Sequence, residues 1–288
     1  MAHNYKTIMV SDEEPMIRRI TLNRPKFLNA YNHVLCHEVT QAVDEYMKTD
    51  ALRCLVITGA GRGFCAGGDI SGTEPMEERM ARINVQIGRG VEMRDGMHRV
   101  VLALARCDKP VIAMVNGPCV AGGLALALAC DFRVASDKAK LGDTSGKFGL
   151  LPDEGGAWLF PRFMGMDKAL KMTLLAEVYD AAEAERLGLV TEVVPHDRLE
   201  TRTLEFARAL AGQAPLAVKM AKHMMQRSVD ISLERSLQDA CMAVMIANPT
   251  EDVQKAARRS TKSASRCFRD ARQHDPKSGN RFSDQIMP

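Results

Sequence analysis

Residues 111–130 read VIAMVNGPCVAGGLALALAC, twenty positions without a charge. That length matches a membrane-crossing helix. The triplet Asn116-Gly117-Pro118 in its middle argues against one, because Gly and Pro break helix and strand alike. The stretch therefore divides into a buried strand over 111–115, a turn, and a buried helix from about Gly122. A short apolar run of β-branched residues feeding a helix is the unit of a layered α/β protein.

The flanking sequence repeats that alternation. Residues 16–22 (MIRRITL) predict a strand, and Asn23-Arg24-Pro25-Lys26 predicts a turn. Val34, Val39, Ala42, Val43 and Tyr46 recur at helical spacing within 31–47. Residues 52–58 predict a second buried strand, followed by a glycine-rich loop from Gly59 to Gly68. Residues 71–90 read as a polar, Met-containing mobile loop. A helix over 91–105 ends near Asp108-Lys109-Pro110. A strand follows at 132–135, then a Gly-, Pro- and Asp-rich loop over 142–156. Helices are predicted near 167–176, 180–187 and 198–211, with a short strand near 190–194. The fold class is α/β with a mainly parallel sheet, its core over 1–197 and a helical C-terminal region over 198–288.

Composition narrows the function. Lys and Arg number 39 against 36 Asp and Glu, a net +3 that does not describe a surface built to coat nucleic acid. Residues 251–288 carry +4 of that balance, so the first 250 sum to −1. This basic tail reads as solvated chain or a subunit contact. Apolar residues are 46% and charged residues 26%, globular values. The first ten residues show no signal-peptide pattern, and no membrane partner is expected. Eight Cys without a C-x-x-C predict reduced thiols in a cytoplasmic protein, with no zinc framework.

Three familiar motifs come close and fail. Thr58-Gly59-Ala60-Gly61-Arg62-Gly63 approaches the dinucleotide turn of short-chain dehydrogenases, but Cys65 stands at its last glycine and no Y-x-x-x-K exists. His37-Glu38 lacks the second His of H-E-x-x-H, so no metal site is expected. No G-x-S-x-G is present. Two segments remain, Phe64-Cys65-Ala66-Gly67-Gly68-Asp69 and Asn116 to Gly123. Each follows a buried strand and leads into a helix. Free N–H groups at such a turn can converge on one oxygen and stabilise negative charge there.

These segments carry a family resemblance. Leu22 to Lys26 with Asn29-Ala30, Val56 to Ile70, Lys109 to Ala113, Asn116-Gly117, Ala121 to Gly123, Cys130 to Phe132, Gly149 to Gly156, Pro161 to Gly165 and Ala181 to Val194 resemble the crotonase superfamily, in order and spacing. This is the enoyl-CoA hydratase/isomerase family. The resemblance implies a spiral of ββα units, an acyl-CoA substrate, no cofactor beyond the coenzyme A of that substrate, and assembly as a homotrimer or a dimer of trimers. It implies an oxyanion hole from the N–H groups of Ala66 and Gly122. It places Arg24 and Lys26 near the nucleotide of coenzyme A, and Ala66, Gly68, Asp69 and Ile70 along the adenine pocket.

The chain departs from the family at the acids. The two glutamate places of hydratases hold Ala125 and Ser145. Asp153 falls where dienoyl-CoA isomerases carry an active-site Asp, Glu154 stands beside it, and Asp143 lies on the same loop. His98 resembles a catalytic His of dehalogenases in the superfamily. The resemblance thus implies a proton-shuttling isomerase using Asp153, with Glu154 as partner. The alternatives are a hydrolase using these acids with His98 on a cyclic, aromatic or halogenated acyl-CoA, and an acyl-CoA binder without catalysis. For Asp153 and Glu154 the non-catalytic reading is capping of a helix that starts near Gly155.

Overall fold

The computed structural model describes residues 5–70 and 88–251. The predicted loop at 71–90 lies largely outside them, as does the basic tail after Glu251. Six strands form the main sheet: β1 (Ile8–Glu14), β2 (Ile17–Leu22), β3 (Cys54–Gly59), β4 (Val111–Val115), β6 (Phe132–Ser136) and β9 (Glu192–Val194), in that spatial order. All neighbours are parallel except the β1–β2 hairpin.

Every residue of β3 and β4 is buried. Alternate side chains serve opposite faces, as strand geometry requires. Leu55, Ile57, Val111, Ala113 and Val115 join the larger core, which α1 (His33–Lys48) supplies with Leu35, Val39, Ala42, Val43 and Tyr46. Cys54, Val56, Ile112 and Met114 face the other way. There α8 (Leu199–Ala211) covers them with Leu199, Ala207 and Ala211. The chain divides into two compact units between Lys222 and His223, within helix α9 (Pro215–Ser228). Helix α8, grouped by sequence with the C-terminal region, belongs to the first unit because it closes this second core. Helix α10 (Leu233–Ala247) lies in the second unit.

Several local features differ from the expectation. The helix over 91–105 is two helices, α2 (Gly88–Asp95) and α3 (Met97–Ala105), interrupted at Gly96. A second, three-stranded sheet joins β5 (Cys119–Val120), β7 (Lys140–Gly142) and β8 (Val178–Asp180). Strands of two or three residues leave too short a pattern for periodicity to register. Helix α4 (Gly122–Ala129) is buried throughout apart from its last residue, with apolar residues on all sides. Among the described residues no helix is long and apolar enough to cross a membrane. Helices α5 (Gly156–Met164), α6 (Met166–Leu174) and α7 (Ala181–Arg186) complete the first unit.

Candidate active site

The site is built on two loops at the C-terminal ends of β3 and β4. The usual crevice of a parallel sheet lies at that edge. Two asparagines pin the first loop. Asn29, fully buried with φ 57°, donates through Nδ2 to the carbonyls of Ala60 (2.9 Å) and Gly63 (2.8 Å), while its Oδ1 accepts the Arg24 N–H (2.9 Å). Asn116 donates to the carbonyls of Gly59 and Gly61, each at 2.9 Å. The loops are then joined directly. The Cys65 N–H donates to the Pro118 carbonyl, and the Val120 N–H donates back to the Cys65 carbonyl. Only glycine fits at 123, since a Cβ there would run into the Cys65 carbonyl oxygen. Ala121 holds φ 50° and ψ −126° immediately before helix α4. Such a backbone costs about 1–3 kcal/mol for a residue with a Cβ, and persists where the surroundings enforce it.

The two expected donors differ in what their N–H groups meet. The Ala66 N–H is committed to the Leu28 carbonyl at 3.0 Å. Within the described residues the N–H groups of Gly68 and Gly122 meet no acceptor. Both glycines border the same side chain, Tyr31. A Cβ at Gly68 would lie 3.3 Å from the Tyr31 hydroxyl, and one at Gly122 would lie 2.5 Å from its ring. The Gly122 N–H also opens helix α4, where the helix dipole adds positive potential.

The loop before α5 supplies the acid. Gly155, at φ 108°, turns the chain so that Glu154 points inward. Glu154 is 7% exposed. Its Oε1 accepts the Tyr31 hydroxyl at 2.7 Å and lies 2.7 Å from where a Gly122 Cβ would stand. Burial pushes the Glu154 carboxyl above the usual carboxylate range. The Tyr31 hydrogen bond opposes that shift, and neighbouring Asp153 adds to it. Burial also drives the Tyr31 phenol far upward, so it remains a proton donor. The N-cap of α5 is Gly155, with no side-chain hydrogen bond, so neither Asp153 nor Glu154 caps that helix.

The remaining candidates separate by position. Asp153 is exposed, while its backbone carbonyl accepts from His98 Nε2 at 2.6 Å. A carbonyl can only accept, so Nε2 carries the proton, and His98 tethers the main chain of this loop. Asp143 is fully buried. Its Oδ1 accepts the Ser145 N–H at 3.0 Å, and its Oδ2 has no partner among the described residues. Ala125 and Ser145 are both buried and neither carries a carboxylate. Arg24 forms an ion pair with Asp69 at 2.6 Å, donates to the Ala30 carbonyl and stacks over the Phe27 ring. Arg24 and Asp69 therefore brace the first loop together. Lys26 and Ile70 are exposed beside them.

Tyr31 is absent from the expected site residues. Its sequence position reads as the first residue of a helix, and nothing in the spacing marks its hydroxyl. The helix starts at His33, capped by Asn32, which frees Tyr31 to face the glycines. No group of three or more His, Cys, Asp or Glu that could hold a metal occurs among the described residues.

Glycine loops meeting at the edge of a parallel sheet, with the buried Glu154 beside them, define a site that can receive an oxyanion and move a proton. The family model for enoyl-CoA hydratase/isomerase matches residues 12–264, and the chain belongs to that family. A Rhizobium meliloti protein described as a probable enoyl-CoA hydratase is 36% identical over 234 residues, covering 81% of this chain and 86% of its own length. The 1,2-epoxyphenylacetyl-CoA isomerase of Escherichia coli is 32% identical over 229 residues, covering 80% and 86%. The crystal structure of an enoyl-CoA hydratase from Bacillus anthracis superposes with a TM-score of 0.82 at 28% identity, covering 90% of this chain and 97% of that one.

Proposed function

We propose that the protein is an acyl-CoA isomerase in which Glu154 shuttles a proton along an enoyl thioester. The observation that carries this reading is a single buried carboxylate against Gly122, with Ala125 and Ser145 at the places of the hydratase acids. Adding water needs one group to activate it and another to deliver the α-proton. Moving a double bond needs one group that removes a proton and returns it. The ionised Glu154 takes a proton from C2 of a 3-enoyl thioester. The C–H electron pair shifts into the carbonyl, and the oxygen takes the negative charge. The N–H groups of Gly68 and Gly122 receive that oxyanion. Glu154 then returns the proton at C4, giving the 2-enoyl thioester.

Burial favours Glu154 over Asp153 as the base. The exposed Asp153 then acts through its charge on Glu154, and His98 acts by holding the Asp153 carbonyl. The relative named 1,2-epoxyphenylacetyl-CoA isomerase supports isomerisation, and extends the substrate class to ring-bearing acyl groups. Lys26 contacts the coenzyme A phosphates. No cofactor beyond the coenzyme A thioester takes part. Exposed Trp158, Leu170, Leu174 and Leu175 on and after α5 and α6 offer an apolar face for assembly as a homotrimer or hexamer.

The test is a panel of 3-enoyl-, 2-enoyl- and ring-bearing acyl-CoA thioesters, followed at the conjugated thioester absorbance. Isomerisation without net hydration is expected. Glu154→Gln should lower turnover of the best substrate by about 10²–10⁴-fold. Retention within threefold removes Glu154 as the base, and a matching loss in Asp153→Asn alone would transfer the role. Release of free coenzyme A or of a cleaved acyl fragment would favour the hydrolase. Binding without turnover of any thioester would favour the binder.

A further inference from the structure

The described residues contain a small cleft beside Lys109, a part-buried Ser136–His196 contact, two free cysteines at 65 and 119 whose backbones pair, and an Asp143 oxygen without a partner. None of these donates a hydrogen bond to the buried carboxylate of Glu154. Tyr31 does more, because several independent observations meet on one residue. Its oxygen is 2.7 Å from Glu154 Oε1. It stands 3.3 Å from the Cβ position of Gly68, and its ring lies against the Cα of Gly122. Its backbone is fixed from both sides, since the Tyr31 N–H donates to the Gly67 carbonyl (2.8 Å) and the Asp69 N–H donates to the Tyr31 carbonyl (2.9 Å).

We propose that Tyr31 is the positioning residue of the site: its phenol clamps Oε1 of Glu154, leaving Oε2 as the basic oxygen, and ties the acid to the loop that carries the Gly68 N–H. This rests on the reading of Glu154 as the base. The clamp couples the two halves of the reaction. The strand-end loop that holds the oxyanion donor also holds the acid, through one side chain. A donor to a carboxylate favours its charged form, so the phenol opposes the upward push that burial gives Glu154. The other ionisable groups facing the pair are few. Asp153 adjoins Glu154 and acts in the opposite sense. The thiols of Cys36 and Cys65 face Tyr31, and burial raises both, Cys65 to about 12, so they stay neutral through the assay range. His98 meets this loop at the Asp153 carbonyl.

The experiment titrates Glu154 in the full chain without ligand. The protein carries ¹³C-labelled glutamate, and the Glu154 carboxyl signal is assigned by its loss in Glu154→Gln. Tyr31→Phe removes the hydroxyl and keeps the ring. The Glu154 pKa should rise by about one to two units, as expected for a lost hydrogen bond to a charged group. The acid limb of kcat/KM for 3-hexenoyl-CoA, or for the best thioester of the panel, should move up with it. The loss of rate in Tyr31→Phe should therefore be about tenfold greater on the acid side of the limb than above it. Fluorotyrosine at position 31 keeps the volume and strengthens the donor, so both readouts should move downward. This arm decides the matter if Tyr31→Phe does not fold. A Glu154 pKa within about 0.3 unit of wild type in these variants, with Glu154→Gln inactive, overturns the clamp and leaves the base in place. Full turnover in Glu154→Gln overturns the base and the clamp with it.

Discussion

The floor of the site and its wall are made in different ways. The floor is backbone: the Gly59–Asp69 loop and the Asn116–Gly123 turn, latched by Asn29, Asn116 and reciprocal peptide hydrogen bonds. The wall, residues 143–156, acts through side chains, and what matters there is which carboxylate turns inward. Mutations in the floor should therefore cost stability first. Mutations in the wall should cost rate first. A family can keep one floor and change its chemistry by exchanging wall residues.

Gly123→Ala is the most severe test of the floor. A Cβ at 123 collides with the Cys65 carbonyl, a backbone atom that cannot rotate away. Overpacking of this kind costs about 1–3 kcal/mol or more, and here it also pries the two loops apart. Urea denaturation should place the variant at least about 3 kcal/mol below wild type, or find it unfolded. A stability within 0.5 kcal/mol would mean that the loops are not locked, and the contrast with the wall would lapse.

Asn29→Ala should come next. The side chain makes three hydrogen bonds, all to main-chain groups of two loops, and two of their acceptors are carbonyls of the glycine loop. Each such bond contributes about 0.5–1.5 kcal/mol net. A loss of about 2–3 kcal/mol is expected from the same denaturation series. KM for the acyl-CoA should rise more than kcat falls, because the first loop loses its shape while Glu154 stays in place. Equal stability to wild type would show that Asn116 alone holds the loop.

The same contrast explains what could be read from the sequence. The floor was legible because close backbone approach requires glycine and leaves a spaced pattern, as in Gly117, Gly122 and Gly123. The sheet was legible because β3 and β4 are buried on both faces and read as unbroken apolar runs. Which of Asp153 and Glu154 is buried was not legible. Adjacent residues point to opposite sides, and the positive φ of Gly155 decides which one faces Gly122. Which N–H of the first loop stays free was not legible for a similar reason. Ala66 and Gly68 look equivalent in a glycine-rich run until the Leu28 carbonyl takes the Ala66 N–H. Tyr31 was hidden because its contacts are 37 and 123 residues away or sit in the opposite loop. Strand β1 lacked a clear alternation, and its hairpin partner β2 supplies the register that defines it.

The smallest expected effect tests whether the wall is held under electrostatic tension. Burial raises the Glu154 pKa in the folded protein, so the fold binds that proton more tightly than the unfolded chain does. Stability from this group is therefore fully present below the ordinary glutamate range, near 4.3. It is lost as pH rises from there through the folded pKa, with a slope of at most about 1.4 kcal/mol per pH unit. Above the folded pKa the loss levels off, because both states are then ionised. Glu154→Gln has no proton to lose and should lack this component. The difference in unfolding free energy between Glu154→Gln and wild type should grow in favour of the variant across that window and stay constant on either side. Urea titrations at half-unit steps from pH 4 upward measure it. A difference that does not change with pH would mean that the Tyr31 hydrogen bond fully offsets burial, and that the wall stores no strain for the floor to restrain.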